Sequence, residues 1–341
     1  MISTDTWASR PFPEKEILEQ IPGFALIPGD MRDALENFSR QAKKILHPFL
    51  SSVESQEPPA TLYHYTNDVG LRGILETGQL WLTDIFDLND PSELRHGFSH
   101  AIKILNEKSA DGILESKTFA RNFEAFSQPE LIQHVAPLFM CSFSSHGDDL
   151  GQWRAYADNG RGYALAFDAM TLATGFTKLG GTPVPSNSAF HITYDDAQLV
   201  GMDHQIIEGM FELLSLPRGA KLQGTAITAY MVSLQILLTL HTLLPALFFK
   251  HRAYSNEKEY RFMQMLSKKE PLAVKLRFRP YSLVRYREFN WRGSAAEALT
   301  TIVVGPAADG QKASLFAKDC LNSFHHKAVQ IVRSEIPYRA L

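Results

Sequence analysis

Cysteine is scarce in this chain. Its 341 residues include only Cys141 and Cys320, which excludes a disulfide framework and a cysteine-built zinc site and suits a reducing compartment. Surplus charge is scarce as well. Lys and Arg total 34 against 37 acidic residues, a formal charge of −3, so the chain lacks the basic balance of a generic nucleic-acid binder. The opening stretch, MISTDTWASRPFPEKE, has no basic start leading into an apolar run. No secretion leader is expected, and the expected location is cytoplasmic. No internal repeat or low-complexity tract stands out.

Long apolar runs are also few. One, residues 225–249 (TAITAYMVSLQILLTLHTLLPALFF), is long enough to span a bilayer. Gln235 and His241 interrupt it and Pro245 falls near its end. The run is therefore expected to be a buried core helix, with His241 as a packing histidine, and no membrane span is expected.

What the chain does have is an ordinary globular composition, 45% hydrophobic and 21% charged, and length enough to bury a sizeable core. Residues 1–58 read as a helical N-terminal extension and linker, with a helix around 31–48 followed by the polar SSVESQEPP. A single α+β domain is expected over 59–341, with a helical insertion around 203–250. "TLYHY" suits a strand. Thr66 or Asn67 can cap a helix carrying Leu71, Ile74 and Leu75 on one face, Gly78 can end it, and "QLWLT" then reads as a second strand. Asn89-Asp90-Pro91 reads as a turn that starts a longer helix, with Leu94, Phe98, Ile102 and Leu105 at helical spacing. Further strands are expected at 138–144, 163–168, 189–194, 259–265, 274–279, 300–304 and 328–333. Irregular connections with helices inserted between strands suggest α+β rather than regular βαβ winding.

Two polar stretches, "LYHYT" (62–66) and "NEKEYRF" (256–262), carry the chemistry. Alternation along a strand puts His64 on one face with Leu62 and Thr66, and Tyr63 and Tyr65 on the other. If residues 257–263 are extended, Glu257, Glu259 and Arg261 share a face while Tyr260 and Phe262 pack inward. The Glu259–Arg261 pair suits a structural ion network as well as catalysis, and His64 suits a structural histidine as well as a ligand contact. The basic residues Lys275, Arg277, Arg279, Arg285, Arg287 and Arg292 read as a solvated face. Trp153 and Tyr156 read as core. His146, Asp148 and Asp149 lack a second histidine at fitting spacing, so no metal is expected.

The series Leu62-Tyr63-His64-Tyr65-Thr66, Gly70-Leu71, Ile74-Leu75, Gly78, Leu80-Trp81, Leu88-Asn89-Asp90-Pro91 and Glu93 resembles a widespread bacterial family known as a domain of unknown function. The likeness continues in Cys141-Ser142-Phe143-Ser144, Trp153, Tyr156-Ala157, Gly162, Phe249-Lys250, Glu257, Glu259-Tyr260-Arg261 and "IVVGP" at 302–306. More distantly, the strand–helix–strand opening resembles ADP-ribosyltransferases. That resemblance implies an ADP-ribosyltransferase-like mixed sheet core with inserted helices, and NAD as substrate. It implies that His64, Tyr65, Thr66, Trp81 and Arg261 contact NAD. Glu259 would stabilise the positive charge that develops on the ribose, and Glu257 would orient or deprotonate an acceptor. Arg72, Arg154, Arg161 and Arg261 are the arginines considered for the diphosphate. The expected function is mono-ADP-ribosyl transfer to a macromolecular acceptor, protein or nucleic acid, by a toxin or phage-defence type of effector. Two alternatives stand beside it: a non-catalytic nucleotide- or ligand-binding sensor of the same fold, and a hydrolase of NAD or of a phosphodiester.

Overall fold

A computed structural model describes residues 14–88, 92–110, 112, 114–126, 137–220, 222–266, 273–326 and 328–339. The expected turn Asn89-Asp90-Pro91 and the side chains of Glu93 and Leu94 lie outside the described residues. The helices are α1 (Glu14–Glu19), α2 (Gly29–Glu54), α3 (Asp68–Thr77), α4 (Ser92–Ala110), α5 (Leu114–Phe126), α6 (Leu150–Tyr156), α7 (Ala169–Thr177), α8 (Asp196–Leu213), α9 (Leu216–Gly219), α10 (Gly224–Ala246), α11 (Trp291–Ala295) and α12 (Gly310–Ser323). The strands are β1 (Thr61–Thr66), β2 (Gln79–Asp84), β3 (Leu138–Ser144), β4 (Tyr163–Asp168), the short pair β5 (Lys178–Leu179) and β6 (Thr182–Pro183), then β7 (Asn187–His191), β8 (Glu259–Met265), β9 (Lys275–Arg279), β10 (Ser282–Asn290), β11 (Leu299–Val304) and β12 (Gln330–Arg333).

The protein is mixed α/β, with helices covering both faces of a ten-stranded sheet. Its strands run in the order β12-β11-β4-β1-β3-β2-β10-β9, while β8 pairs with β3 and β7 off that path. The β11–β12 pair is parallel and the other named pairs of this sheet are antiparallel.

The feature that matters for function is the pairing of β3. One edge bonds β8 along its whole length, from Leu138↔Met265 to Ser144↔Glu259. The other edge meets β1 only at Tyr63↔Ser144 and β2 only at Thr83↔Met140 and Asp84↔Phe139. Between those ends, at Cys141, Ser142 and Phe143, the sheet forks.

One apolar core packs α2, α4, α5, α8 and α10 against one face through Leu138, Met140 and Met263. On the opposite face Leu62, Phe143, Leu165, Phe167 and Phe262 meet α3, α7, α11 and α12. The helix of the N-terminal extension is thus part of the first core, with Leu35, Phe38, Leu46 and Phe49 buried. It is also longer than the 31–48 expected, because its apolar stripe continues to Val53. Helix α10 is long and apolar enough to cross a membrane, but it is mostly buried, so there is no clear membrane span. His241 on it is buried beside Glu14 (3.4 Å), and burial lowers its pKa to about 4.

Strand β10 had no counterpart among the expected strands. Its sequence, SLVRYREFN, alternates arginine with apolar residues, and the local pattern reads as solvated. Cross-strand partners make it a strand: Tyr286 pairs with Thr83, Phe289 with Leu80, and Arg285 binds Asp87 at 2.8 Å. The strand expected at 189–194 lies instead at 187–191, with only Thr193 bridging Phe249 beyond it.

Asp203 on α8 is fully buried in the first helical layer, and among the described residues neither carboxylate oxygen has a hydrogen-bond partner. Burial raises its pKa well above the ordinary 3.8. Its favourable contribution is therefore complete below that ordinary value and is lost as pH rises through the raised folded value. Asp203→Leu is expected to stabilise the protein at pH 8 by about 1–3 kcal/mol and by less at pH 4. Urea unfolding at the two pH values measures the difference.

Candidate functional site

At the fork in the sheet lies a cleft of about 760 Å³, within the range of small-molecule sites. β1 contributes His64 and Thr66, α3 contributes Gly70 and Gly73, and β2 contributes Trp81. β3 forms the back, and Tyr156, Lys250, Glu257, Glu259 and Arg277 complete the wall. The local folding reasons are simple. Asn67 caps α3 by accepting from the Gly70 N–H at 2.9 Å, and Gly78, at φ 66°, ends it. Helix α3 therefore sits directly between the two strands that diverge at the fork, with its small residues toward the space. A Cβ on Gly70 would collide with the Thr66 hydroxyl.

A buried four-charge cluster forms one wall. Glu259 accepts from Arg261 Nε at 2.5 Å and Nη2 at 3.1 Å, from Lys250 Nζ at 3.1 Å and from Ser142 Oγ at 2.6 Å. Lys250 also donates to Glu257 at 2.6 Å, and the Tyr156 hydroxyl lies 3.2 Å from the other Glu257 oxygen. Two cations balance two carboxylates, so the cluster is neutral as a set. Burial pushes the Glu259 carboxyl up, but Arg261, Lys250 and the Ser142 hydroxyl outweigh it and hold its pKa down to about 2.

Glu257 does not share a strand with Glu259, contrary to the expected extended run. Lys258 adopts a left-handed conformation (φ 45°), Glu257 ends a short 3-10 turn, and β8 begins at Glu259. The two carboxylates converge because Lys250 bonds both. Ser144 Oγ donates to the Glu257 carbonyl at 2.7 Å and fixes that turn to the end of β3.

His64 faces the same cleft from the other limb of the fork. Its Nδ1 is 3.4 Å from the Ser142 carbonyl. A carbonyl only accepts, so Nδ1 carries the proton and Nε2 is an acceptor. Burial lowers the His64 pKa, the Ser142 carbonyl partly offsets this, and Arg277 lowers it further, all consistent with a neutral ring. Ser142 therefore links the two walls, holding His64 through its backbone and Glu259 through its side chain.

The remaining residues expected at the site divide. Trp81 is 42% exposed, lies tilted by 36° against Tyr286 at 4.5 Å and carries the Arg277 guanidinium over its ring at 5.3 Å. Tyr65 borders the cleft, but its ring packs edge-on against Trp153 and its hydroxyl donates to the His146 carbonyl at 2.7 Å. Arg261 is buried on Glu259 and does not line the cleft. Arg72, Arg154 and Arg161 are exposed and do not line it either. The cationic groups that do are Arg277 and Lys250. Arg277 bonds the Thr83 hydroxyl at 3.1 Å, and the basic residues clustered around it made the segment read as a solvated face. The signal for it was alternation: a guanidinium one residue from Phe278, on a strand that pairs with β10.

Trp153 is core, as expected, whereas Tyr156 on the same helix reaches the cleft. Asp148 accepts from Trp153 Nε1 at 2.7 Å and the Glu335 N–H at 2.9 Å, and Asp149 caps α6. These carboxylates serve the fold.

Residues 152–262 match the model of a family described as "Protein of unknown function (DUF2971)". The match takes in Trp153, Tyr156, Lys250, Glu257, Glu259 and Arg261, and stops short of β1 and β2. No curated protein and no solved structure matches the chain.

Breaking one member of the cluster leaves a buried charge uncompensated. Arg261→Met is expected to destabilise the protein by about 3–5 kcal/mol, and Glu259→Gln/Arg261→Met by less than the sum of the single changes. The stability that Glu259 supplies is present above its ordinary pKa of 4.5 and is lost as pH falls through about 2. Denaturant titrations across that window should be flatter in Glu259→Gln than in the wild type.

Proposed function

We propose that the cleft binds NAD and that the protein transfers ADP-ribose to a macromolecular acceptor, on an ADP-ribosyltransferase-like core. The observation that carries this reading is the convergence of His64, Trp81, Glu257 and Glu259 on one cleft where the sheet forks. These residues come from separate elements and meet in a space sized for a dinucleotide portion. Arg277 supplies a cation for the diphosphate, and Trp81 offers an aromatic face for the nicotinamide. His64 Nε2 accepts a hydrogen bond from a ribose hydroxyl, since Nδ1 is committed to the Ser142 carbonyl.

The geometry also redistributes the two glutamates. Glu259 already holds contacts from three groups and acts by positioning: it fixes Lys250, Arg261 and the Ser142 side chain. Glu257 is the more accessible carboxylate and is our choice for the group beside the reacting carbon. The bond from ribose C1 to the nicotinamide nitrogen breaks and its electron pair leaves with nicotinamide. The developing positive charge on the sugar is stabilised by the carboxylate, the acceptor's nucleophile bonds C1, and Glu257 takes the acceptor proton.

The saturation of Glu259 favours a second reading, a binding module of the same fold that holds a nucleotide without cleaving it. The two separate experimentally. Purified protein incubated with NAD and a cell lysate as acceptor source is expected to release nicotinamide, and Glu257→Gln to lose about 10²–10³-fold of that rate when assayed at a temperature where circular dichroism shows the variant, which loses one carboxylate of the cluster, still folded. NAD binding by calorimetry with no release from the wild type would establish the second reading instead.

A further inference from the structure

A second cluster lies outside the cleft. His96 and His100 are four residues apart on α4, so both project from one face of the helix, one turn apart. That face packs on α8, whose first residue is Asp196. His96 Nε2 lies 3.1 and 3.2 Å from the two Asp196 oxygens, and His100 Nε2 lies 3.7 Å from one of them. The two imidazoles meet edge to face at 5.1 Å. Each side chain is about a fifth to a quarter exposed (19%, 24% and 26%), which leaves a path for an ion.

An ordinary aspartate–histidine pair between two helices accounts for His96. It does not account for His100, whose Nε2 is buried yet has no hydrogen-bond partner among the described residues while pointing at the same carboxylate. The donor atoms all lie within 4.8 Å of one another. In a tetrahedral site with bonds near 2.0–2.2 Å, donors sit about 3.3–3.6 Å apart, and the imidazole-to-carboxylate distances of 3.1, 3.2 and 3.7 Å bracket that range. Two imidazoles and one carboxylate suit a borderline first-row divalent ion, with a coordination position left for water or an exogenous ligand.

We propose that His96, His100 and Asp196 form a Zn²⁺ site that ties α4 to α8. His251 packs edge-on against His96 at 5.1 Å, and it directly follows Lys250 of the cleft cluster. The ion therefore also braces the segment that presents Lys250, without entering the cleft.

The test uses the full chain, stripped with a chelator, desalted and titrated with Zn²⁺ against a competing fluorescent chelator. Binding of a single equivalent is expected, with a rise in melting temperature under excess Zn²⁺ and a visible absorption band when Co²⁺ replaces zinc. His100→Gln should weaken binding at least tenfold while melting like the metal-free wild type, since the wild-type nitrogen makes no hydrogen bond among the described residues. Asp196→Asn gives an independent variant should His100→Gln fold poorly. Failure of the wild type to bind a stoichiometric equivalent, or affinity unchanged in both variants, overturns the site.

Discussion

A strand has two edges, and every N–H and C=O on them needs a partner. β3 gives one edge wholly to β8 and divides the other between two strands that touch only its ends. The backbone between those ends cannot be satisfied by a strand, and His64 fills part of the need by donating to the Ser142 carbonyl. The cleft, its back wall and the approach of His64 to the carboxylates all follow from that divided edge. A sheet paired normally along β3 would leave no space there.

The second organising element is charge closure. Lys250, Glu257, Glu259 and Arg261 would each be costly to bury alone, and together they are neutral and hydrogen-bonded. Their neutrality leaves Arg277 as the cleft cation that, among the described residues, has no carboxylate partner. A cleft arranged this way has an internal scaffold of charges and one cation held apart from it.

The sequence exposed the parts of this architecture that are local. β1, α3 and β2 were readable from the aromatic strand, the Asn67 cap and the Gly78 stop, because each signal lies within a few residues of the structure it dictates. His64 and Glu259 were readable as polar residues inside apolar strands, and Glu257 as a carboxylate close to Glu259. What depends on distant partners was not readable. β10 looks solvated until Asp87 and β2 are placed beside it, and Arg277 looks solvated until Trp81 lies under it. The conformation of Lys258, which takes Glu257 off the strand, has no glycine to announce it. The His96–His100 spacing was present in the sequence, but Asp196, which lies beside both, is on another helix about a hundred residues away.

The placement of α3 has a mechanical consequence. The helix is the only covalent connection between the two strands that diverge at the fork, and its ten residues span about 15 Å. It works as a caliper, with jaws whose separation is set by a rigid backbone length and not by side chains. Substitutions along the walls would retune which groups a ligand touches while leaving the gauge untouched. Adding or removing a helical turn would reset the gauge while leaving the wall residues of β3, β8 and β9 unchanged. The width of the cleft and the chemistry of its walls are therefore encoded largely in different parts of the chain.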